Sequence, residues 1–466
     1  MGFDKTPRSK GPGSAPSLPS RSAKPLNAPR FQAEGLLARD LAVSALFSVW
    51  VENRAFDDAF AKAAETRDVA PRDRAFARLV ASTALRRRGE LRAVVAQFLQ
   101  KPLPENQGRL EPILLAAAAQ LLILQTPPHA AISLAVDQCR ADRSAQRFDK
   151  LANAVLRRVS VEGAQILARL DSVALNIPLW MLTRWQANYG AATAHKIGEA
   201  SLREAPLDLS VKGDAALWTG KLGGIALPTG TVRLNHSGRI EEIDGYQDGA
   251  WWVQDAAAAL PALLLGDVKG LAVADLCAAP GGKTAQLANA GARVTAVDKS
   301  HGRLARLKTN LARLGLDAET AVADAATFAP GQLFDAVLVD APCTATGTIR
   351  RHPDIVHLKR PEDIAALADV QRRILAQAAT LVRPGGTLVY CTCSLEPEEG
   401  LDQVAAFLSA TPSFNRKPVV AGGHGIEAEW ISADGELRTL PHHLDTLPPG
   451  QTGLDGFYAA RLVRTV

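Results

Sequence analysis

The chain has 466 residues, of which 47% are hydrophobic and 22% are charged, a composition typical of soluble globular proteins with two or three domains. Its five cysteines are too few for a disulfide-stapled secreted domain, and the basic N-terminus lacks the apolar segment of a signal peptide. The longest apolar block, Pro112 to Leu124, is shorter than the roughly 20 residues that a membrane-spanning helix requires. These features predict a cytoplasmic protein with reduced thiols and no membrane segment.

The first predicted segment is a disordered basic tail over residues 1–32. Residues 1–30 contain six basic side chains and one acidic side chain, which account for the whole net charge of +5. They are also rich in Pro, Ser and Gly, a composition that disfavours a packed core. Such a tail either keeps the protein in solution or attracts phosphate groups, and composition leaves both functions open.

Residues 33–162 are predicted to form an all-helical domain. Apolar residues from Ala42 to Trp50 recur with the spacing of one buried helical face, and the block Pro112 to Leu124 is apolar all round, as in a central helix. A further amphipathic helix is predicted over Ala77 to Leu99. The motifs PPHAAISLAVD and KLANAVLRRV resemble the NusB-type RNA-binding helical domain. On such a fold we expect Arg86 to Arg88 and the arginines of LRRV to contact RNA phosphates.

Residues 163–250 are predicted to form a connector, in which a Trp-rich helix (Pro178 to Gly190) precedes short strands. From residue 251 to the end, strands and helices alternate, which predicts a mostly parallel sheet covered on both faces. The predicted strands are LAVADLC, RVTAVD, AETAVAD, DAVLVDAPC and GTLVYCTCS. Each carries an acid or a cysteine at its end, which is where ligands of open α/β sheets bind.

The segment DLCAAPGGKT (Asp275 to Thr284) joins the first of these strands to a helix. Its adjacent glycines let the backbone approach a ligand. A nucleotide P-loop would need glycine at Cys277, and the G-x-G-x-x-G dinucleotide motif does not fit this segment. Asp298 closes the second strand, where a carboxylate can bind ribose hydroxyls, and Asp324 closes the third, where it can bind an adenine amino group. The set predicts an adenosine-containing cofactor.

The segments DLCAAPGGKT, VDAPCTATGTIRRHPD and YCTCSLEPEE resemble the RNA cytosine-5 methyltransferases that use S-adenosylmethionine. With the NusB-like segment in front, the chain is similar to the Sun/Fmu (RsmB-type) methyltransferases of bacterial small-subunit ribosomal RNA. The resemblance implies an all-α NusB-like N-terminal domain, then an α/β Rossmann-like class I methyltransferase domain over residues 251–466, with ribosomal RNA as the partner. A monomer without a metal ion is expected. The residues implied for the cofactor pocket are Cys277, Ala278, Ala279, Pro280, Gly281, Gly282, Lys283, Asp298, Asp324 and Asp340.

The motif YCTCS (Tyr390 to Ser394) places two cysteines one residue apart. A zinc site would need a second cysteine pair or a nearby histidine pair, and a disulfide is disfavoured in a reduced protein. Methylation at carbon 5 of cytosine calls for a thiolate that adds to carbon 6, because this addition makes carbon 5 nucleophilic. In DNA cytosine methyltransferases the attacking residue corresponds to Cys343. In the RNA family it is the cysteine of Thr-Cys-Ser, which is Cys393 here.

The resemblance therefore implies that Cys393 is the nucleophile and that Cys343 assists product release. On a strand Cys391 and Cys393 share a face, so alternation alone does not separate them. Asp340 is expected to have a raised pKa and to act as the acid near N3 of the base. The contact made by Lys283 stays open: it is either the methionine carboxylate of the cofactor or the target nucleotide.

Arg350, Arg351 and His352 follow the segment TATGT and are expected to contact RNA phosphates. Cys139 and Cys391 are expected to be core thiols, and Cys277 a structural residue whose backbone lies at the cofactor. Two alternative functions stay open, a tRNA cytosine-5 methyltransferase and a non-catalytic RNA-binding assembly factor. The presence of all three predicted catalytic residues argues against the second; these are Asp340, Cys343 and Cys393.

Overall fold

The computed structural model describes residues 1–2, 35–104, 107–235 and 238–465, so most of the predicted basic tail lies outside the described residues. The described residues between 35 and 201 form the helical part of the chain. Its helices are α1 (Leu36–Trp50), α2 (Phe56–Glu65), α3 (Pro71–Arg86), α4 (Arg88–Ala96), α5 (Leu110–Leu122), α6 (Pro128–Ala141), α7 (Asp149–Leu167), α8 (Ser172–Asn176), α9 (Leu179–Tyr189) and α10 (Ala191–Ser201).

Helix α5 is the central helix of this part, as its uniformly apolar sequence predicts. Its residues from Leu110 to Gln120 are buried, apart from the partly exposed Glu111. The single helix predicted over Ala77 to Leu99 is wrong, because the backbone leaves the helical region at Arg87 (φ −114°, ψ 22°) and splits the segment into α3 and α4. No helix within the described ranges is both long and apolar enough to span a bilayer.

A small antiparallel sheet with the strand order β2-β3-β1-β4 connects the helices to the second part of the chain. Its two flanking strands are short, which limits the exposed sheet edge. The elements are β1 (Leu207–Val211), α11 (Ala215–Leu222), β2 (Ile225–Ala226), β3 (Thr231–Leu234) and β4 (Trp251–Val253).

The last part of the chain forms an eight-stranded sheet with helices on its faces, which confirms the predicted α/β class. Strands run in the order β10-β12-β9-β8-β5-β6-β7, with β11 paired to β12; the five from β9 to β7 are parallel. The elements are α12 (Ala256–Leu263), β5 (Ala272–Leu276), α13 (Gly282–Asn289), β6 (Arg293–Asp298), α14 (His301–Leu314), β7 (Glu319–Val322), β8 (Phe334–Asp340), α15 (Ile355–Leu358), α16 (Pro361–Leu381), β9 (Val382–Thr392), α17 (Leu401–Ala410), β10 (Phe414–Arg416), β11 (Leu437–Arg438) and β12 (Tyr458–Arg464).

The loop that follows β8 is attached to the helical part of the chain. The carboxylate of Asp354 accepts a hydrogen bond from the backbone N–H of Phe56 at 2.9 Å, and Nε2 of His357 lies 2.9 Å from the carbonyl oxygen of Leu85. The guanidinium of Arg86 donates to the carbonyl oxygen of Arg350 at 2.9 Å. These contacts define an anchored loop, residues 345–358, which joins the two parts.

The predicted RNA contact of Arg86 is wrong, because its side chain is buried at this junction. Its two neighbours are also occupied within the protein. Arg87 forms an ion pair with Glu90, and the guanidinium of Arg88 lies 4.3 Å from the ring centre of Trp50. Arg86 therefore holds the junction, and Arg87 and Arg88 make contacts within the helical part instead of forming a solvent-facing stripe.

The predicted RNA contacts of Arg350 and Arg351 are also wrong. The side chain of Arg350 is 2% exposed and donates to the carbonyl oxygens of Thr452 and Leu454. Arg351 forms ion pairs with the buried carboxylates of Asp255 at 2.5 Å and Asp455 at 3.0 Å. His352, by contrast, is exposed. The two arginines fix the anchored loop to the protein interior.

Replacing Arg351 with methionine is expected to lower the free energy of unfolding by about 3–5 kcal/mol, because two buried carboxylates lose their cationic partner. Thermal unfolding, followed by circular dichroism, measures the effect. The matched control is Arg169→Met, since Arg169 is exposed. An unchanged unfolding midpoint together with weaker RNA binding would favour the RNA contact instead.

Candidate active site

The carboxyl ends of β5, β6, β8 and β9 lie along one edge of the sheet and carry the predicted site residues. The first loop, residues 277–283, turns from β5 into α13. Cys277 has a φ of 61° and Gly281 a φ of 106°, both in the left-handed region. A Cβ atom at Gly281 would lie 2.8 Å from the side chain of Leu307, so only glycine fits this close turn.

Asp298 ends β6 and is 2% exposed. Its carboxylate accepts hydrogen bonds from the backbone N–H groups of Ala279 at 3.3 Å and Ser300 at 2.9 Å. Arg303, on the first turn of α14, lies 3.2 Å from the same carboxylate and was not predicted as a site residue. The sequence did contain a signal for Arg303. A helix begins shortly after Asp298, and a basic side chain on the first turn of that helix can reach back to the carboxylate at the end of the strand.

Asp324 lies two residues beyond the end of β7 rather than on it. It is exposed, and its carboxylate accepts a hydrogen bond from the backbone N–H of Ala326 at 2.9 Å. The strand is shorter than the sequence AETAVAD suggested. Asp324 therefore belongs to the loop at the rim of the site.

Asp340 ends β8 and forms an ion pair with Lys283, whose Nζ lies 2.8 Å from its Oδ2. Burial disfavours the charged form of Lys283, but the neighbouring Asp340 carboxylate outweighs burial, and the pKa of the lysine is raised. Nζ also lies 5.0 Å from the ring centre of Phe457. The site therefore contains a protonated lysine that contacts the residue predicted to face the base.

Asp275, at the end of β5, is the second buried acid of this region. Its Oδ2 accepts a hydrogen bond from the hydroxyl of Thr284 at 2.6 Å, and burial raises its pKa to about 7. The sequence placed Asp275 at the start of the glycine loop without giving it a role. Its hydrogen bond holds the first turn of α13 against the end of β5.

The sulfur atoms of Cys343 and Cys393 lie 3.5 Å apart. Cys343 follows β8 by three residues, Cys393 follows β9 by one residue, and both are partly exposed. The hydrogen bond with Cys343, together with burial, raises the pKa of the Cys393 thiol well above its usual range. Two thiols that come from different loops thus meet beside the Lys283–Asp340 pair.

Cys391 differs from Cys393 because it lies on β9 itself and is fully buried. Burial raises the pKa of its thiol, and its sulfur lies 3.6 Å from Oδ1 of Asp340. The strand ends between the two cysteines, so they occupy different environments although alternation gave them one face. Cys139 is also buried, in the helical core.

Comparisons with known proteins show the family of the chain. Residues 36–161 match the NusB family, and residues 262–463 match the family described as 16S rRNA methyltransferase RsmB/F. Ribosomal RNA small subunit methyltransferase B from Xylella fastidiosa (strain Temecula1) is 35% identical over 453 residues, which cover 93% of this chain and 99% of the relative. The protein of the same name from Sodalis glossinidius is 37% identical, covering 80% of this chain and 86% of the relative. The chain belongs to the RsmB/F family.

Two solved structures share the fold of this RsmB/F member. The protein PH0851 superposes with a TM-score of 0.71 at 23% identity, covering 92% of this chain and 98% of that structure. A methyltransferase homolog from Pyrococcus horikoshii superposes with a TM-score of 0.50 at 28% identity, covering 60% and 93%. The family matches to residues 36–161 and 262–463 confirm the predicted order, a NusB-like helical domain followed by a methyltransferase domain.

The RsmB/F chain brings most of its predicted site residues to one sheet edge. The glycine loop 277–283, Asp298, Asp340 and both predicted catalytic cysteines lie at the carboxyl ends of adjacent strands, and Asp324 lies at the rim. Among the described residues, no cluster of three or more histidine, cysteine or acidic side chains could hold a metal ion. The paired thiols and the Lys283–Asp340 ion pair are suited to thiol and proton-transfer chemistry.

Proposed function

We propose that this protein transfers a methyl group from S-adenosylmethionine to carbon 5 of a cytosine in small-subunit ribosomal RNA in the cytoplasm. The 3.5 Å approach of the Cys343 and Cys393 sulfur atoms carries the proposal, because one thiol alone would not supply both attack and release. The relatives named above, whose names specify ribosomal RNA of the small subunit, favour this substrate over tRNA. A paired set of thiols also argues against a non-catalytic factor.

S-adenosylmethionine fits the first two strand ends. The left-handed turn at Gly281 brings the backbone of the loop 277–283 close to the end of β6, where the buried carboxylate of Asp298 can accept hydrogen bonds from ribose hydroxyls. Asp324 would bind the adenine amino group at the rim. When bound, the cofactor supplies a methyl group on a positively charged sulfur.

Cys393 is the proposed nucleophile. Its thiol first gives its proton to solvent, and the sulfur then forms a bond to carbon 6 of the cytosine while the electron pair of the carbon 5–carbon 6 double bond moves toward carbon 5. The ion pair of Lys283 and Asp340 holds a proton at the end of β8. We place this pair at N3 of the base, where a proton neutralises the charge that develops.

Cys343 is the proposed release residue. After carbon 5 has been methylated, its proton passes to the Cys343 sulfur, which has first given its own proton to solvent. The electron pair of the broken carbon–hydrogen bond re-forms the ring double bond, and the electron pair of the bond between Cys393 and carbon 6 returns to the Cys393 sulfur. The sulfur of Cys343 lies 3.5 Å from the sulfur of Cys393, so proton removal at carbon 5 and release of Cys393 from carbon 6 can occur at neighbouring ring atoms. The proton at N3 returns to the Lys283–Asp340 pair, so the net result besides the methylated base is one proton given to solvent.

We further propose that the helical domain, residues 33–162, binds RNA through phosphates and that residues 163–250 connect it to the methyltransferase domain at 251–466. The two arginines of LRRV support this proposal. Arg157 and Arg158 are exposed on α7, unlike Arg86, and phosphate contacts of this kind position an RNA without reading its bases.

Bisulfite sequencing of total RNA tests the proposed substrate. A strain that lacks the protein should lose one protected cytosine in small-subunit ribosomal RNA, and the intact gene should restore it. Protection that is lost in tRNA instead, or lost nowhere, would contradict the proposal.

Replacing Cys343 with alanine is expected to trap the enzyme on its RNA, because the adduct of Cys393 forms but is not released. The adduct should survive denaturing electrophoresis as a band of increased mass. Cys139→Ala is the control, since Cys139 is a thiol of the helical core, outside the pair and outside the cofactor loop. A Cys343/Cys393 double variant that still forms the adduct would show that another residue attacks.

A further inference from the structure

Glu399 is a buried carboxylate that touches both loops carrying the paired thiols. It ends a short 3-10 turn, Pro397–Glu399, and is fully buried. Its Oε1 accepts a hydrogen bond from the backbone N–H of Thr344 at 2.9 Å, and its Oε2 accepts one from the hydroxyl of Ser394 at 2.5 Å. Because Thr344 follows Cys343 and Ser394 follows Cys393, one carboxylate joins the neighbours of both thiols.

Gln371 of α16 completes the attachment of the Cys343 loop. Its Nε2 donates to the carbonyl oxygen of Pro342 at 2.9 Å and to Oε1 of Glu399 at 3.0 Å. Backbone groups on both sides of Cys343 are therefore held, one by Gln371 and one by Glu399. On the other loop, the backbone N–H of Gly347 donates to the carbonyl oxygen of Cys393 at 2.9 Å.

The position of Glu399 costs stability. Within the described ranges no lysine, arginine or histidine forms an ion pair with it, and burial raises its pKa. An uncompensated carboxylate is expensive to bury, although hydrogen bonds to it recover part of the cost. A neutral side chain would fill the same space at lower cost, so the carboxylate is better explained by the hydrogen bonds it accepts from four donor groups around the thiols. These are the backbone N–H and the hydroxyl of Thr344, the hydroxyl of Ser394 and the side-chain amide of Gln371.

We propose that Glu399 is a positioning residue that sets the distance between the sulfur atoms of Cys343 and Cys393. Its catalytic consequence rests on the proposed methyl transfer, whereas its effect on the two thiols does not. The placement of the thiols can be measured without RNA or cofactor.

Oxidation with diamide measures that placement in the full-length protein. The two thiols lose two electrons and two protons to the nitrogen–nitrogen double bond of diamide, which leaves a Cys343–Cys393 disulfide and a hydrazine. The sulfur atoms need only a small movement from 3.5 Å to the bonding distance of about 2.0 Å. The disulfide, identified by peptide mapping, should form at least about tenfold more slowly in Glu399→Gln and Glu399→Ala, since rates depend steeply on the placement of reacting groups.

The same variants should lose about 100-fold in kcat for methyl transfer with an unchanged KM for S-adenosylmethionine. Circular dichroism establishes that each variant is folded, and Glu399→Gln keeps the size of the side chain if Glu399→Ala does not fold. The matched control is Glu398→Gln on the same turn, because Glu398 is partly exposed and contacts Arg184 rather than the thiol loops. This control should cross-link and turn over normally.

Normal disulfide formation in folded Glu399→Gln would overturn the proposal, whether or not its methyl transfer is impaired. Slow disulfide formation with full methyl transfer would support the positioning of the thiols and overturn its catalytic consequence. The unaltered protein could also fail to methylate any RNA while the Glu399 variants form the disulfide slowly. That result would support the positioning role and contradict the proposed function.

Discussion

Replacing Cys393 with alanine is expected to abolish methyl transfer, with a loss of at least about a thousandfold in rate, because only this sulfur forms the bond to carbon 6. The affinity for S-adenosylmethionine should stay unchanged. The substitution lies at the end of β9, outside the loop 277–283 and away from Asp298. Transfer of a radiolabelled methyl group and calorimetric titration with the cofactor measure the two quantities separately.

Cys391→Ala is the matched control for this experiment, since it removes a thiol two residues away. Cys391 is fully buried on the strand, so its loss should leave most of the activity and cost a small amount of stability. An essential Cys391 and a dispensable Cys393 would reverse the proposed assignment. Full activity of Cys393→Ala would exclude covalent catalysis by this residue.

Replacing Asp340 with asparagine is expected to reduce methyl transfer by about 100- to 10,000-fold, the range typical for loss of a group that handles a proton in the transition state. The substitution also leaves the ammonium of Lys283, which is 9% exposed, without its carboxylate partner. The unfolding midpoint should therefore fall as well.

A second substitution separates the two effects. Adding Lys283→Met to Asp340→Asn removes the unpaired charge and should restore the unfolding midpoint without restoring activity. Asp317→Asn, at an exposed position, is the control for a change of charge alone. Near-normal methyl transfer by Asp340→Asn would show that the lysine pair takes no part in the reaction.

The sequence predicted the positions of these site residues better than their surroundings. The glycine loop, Asp298 and the thiols of Cys343 and Cys393 were expected at strand ends, and strand order is what brings them together. Their motifs are local: a few consecutive residues determine how the chain turns at the end of each strand, so these positions can be predicted from sequence. The environments of Cys391 and Cys393 could not be separated, because the difference depends on where β9 ends.

The arginines show where local patterns fail. Arg350 and Arg351 stand in a polar loop sequence that is typical of a solvent-facing segment, yet their partners include carbonyl and carboxylate groups 102 to 104 residues later in the chain. Burial of a cation is determined by such distant partners. Glu399 was overlooked for the same reason, since its partner Thr344 lies 55 residues earlier.

The contacts of the anchored loop imply an order of folding during synthesis of the chain. Arg86 and Arg350, which meet at the junction, are separated by 264 residues. At about 5–20 residues per second, the ribosome completes the receiving helices roughly 13 to 53 seconds before it makes the loop. Domains generally fold as units with the N-terminal one first, so the loop beside the paired thiols takes shape on a surface that is already folded.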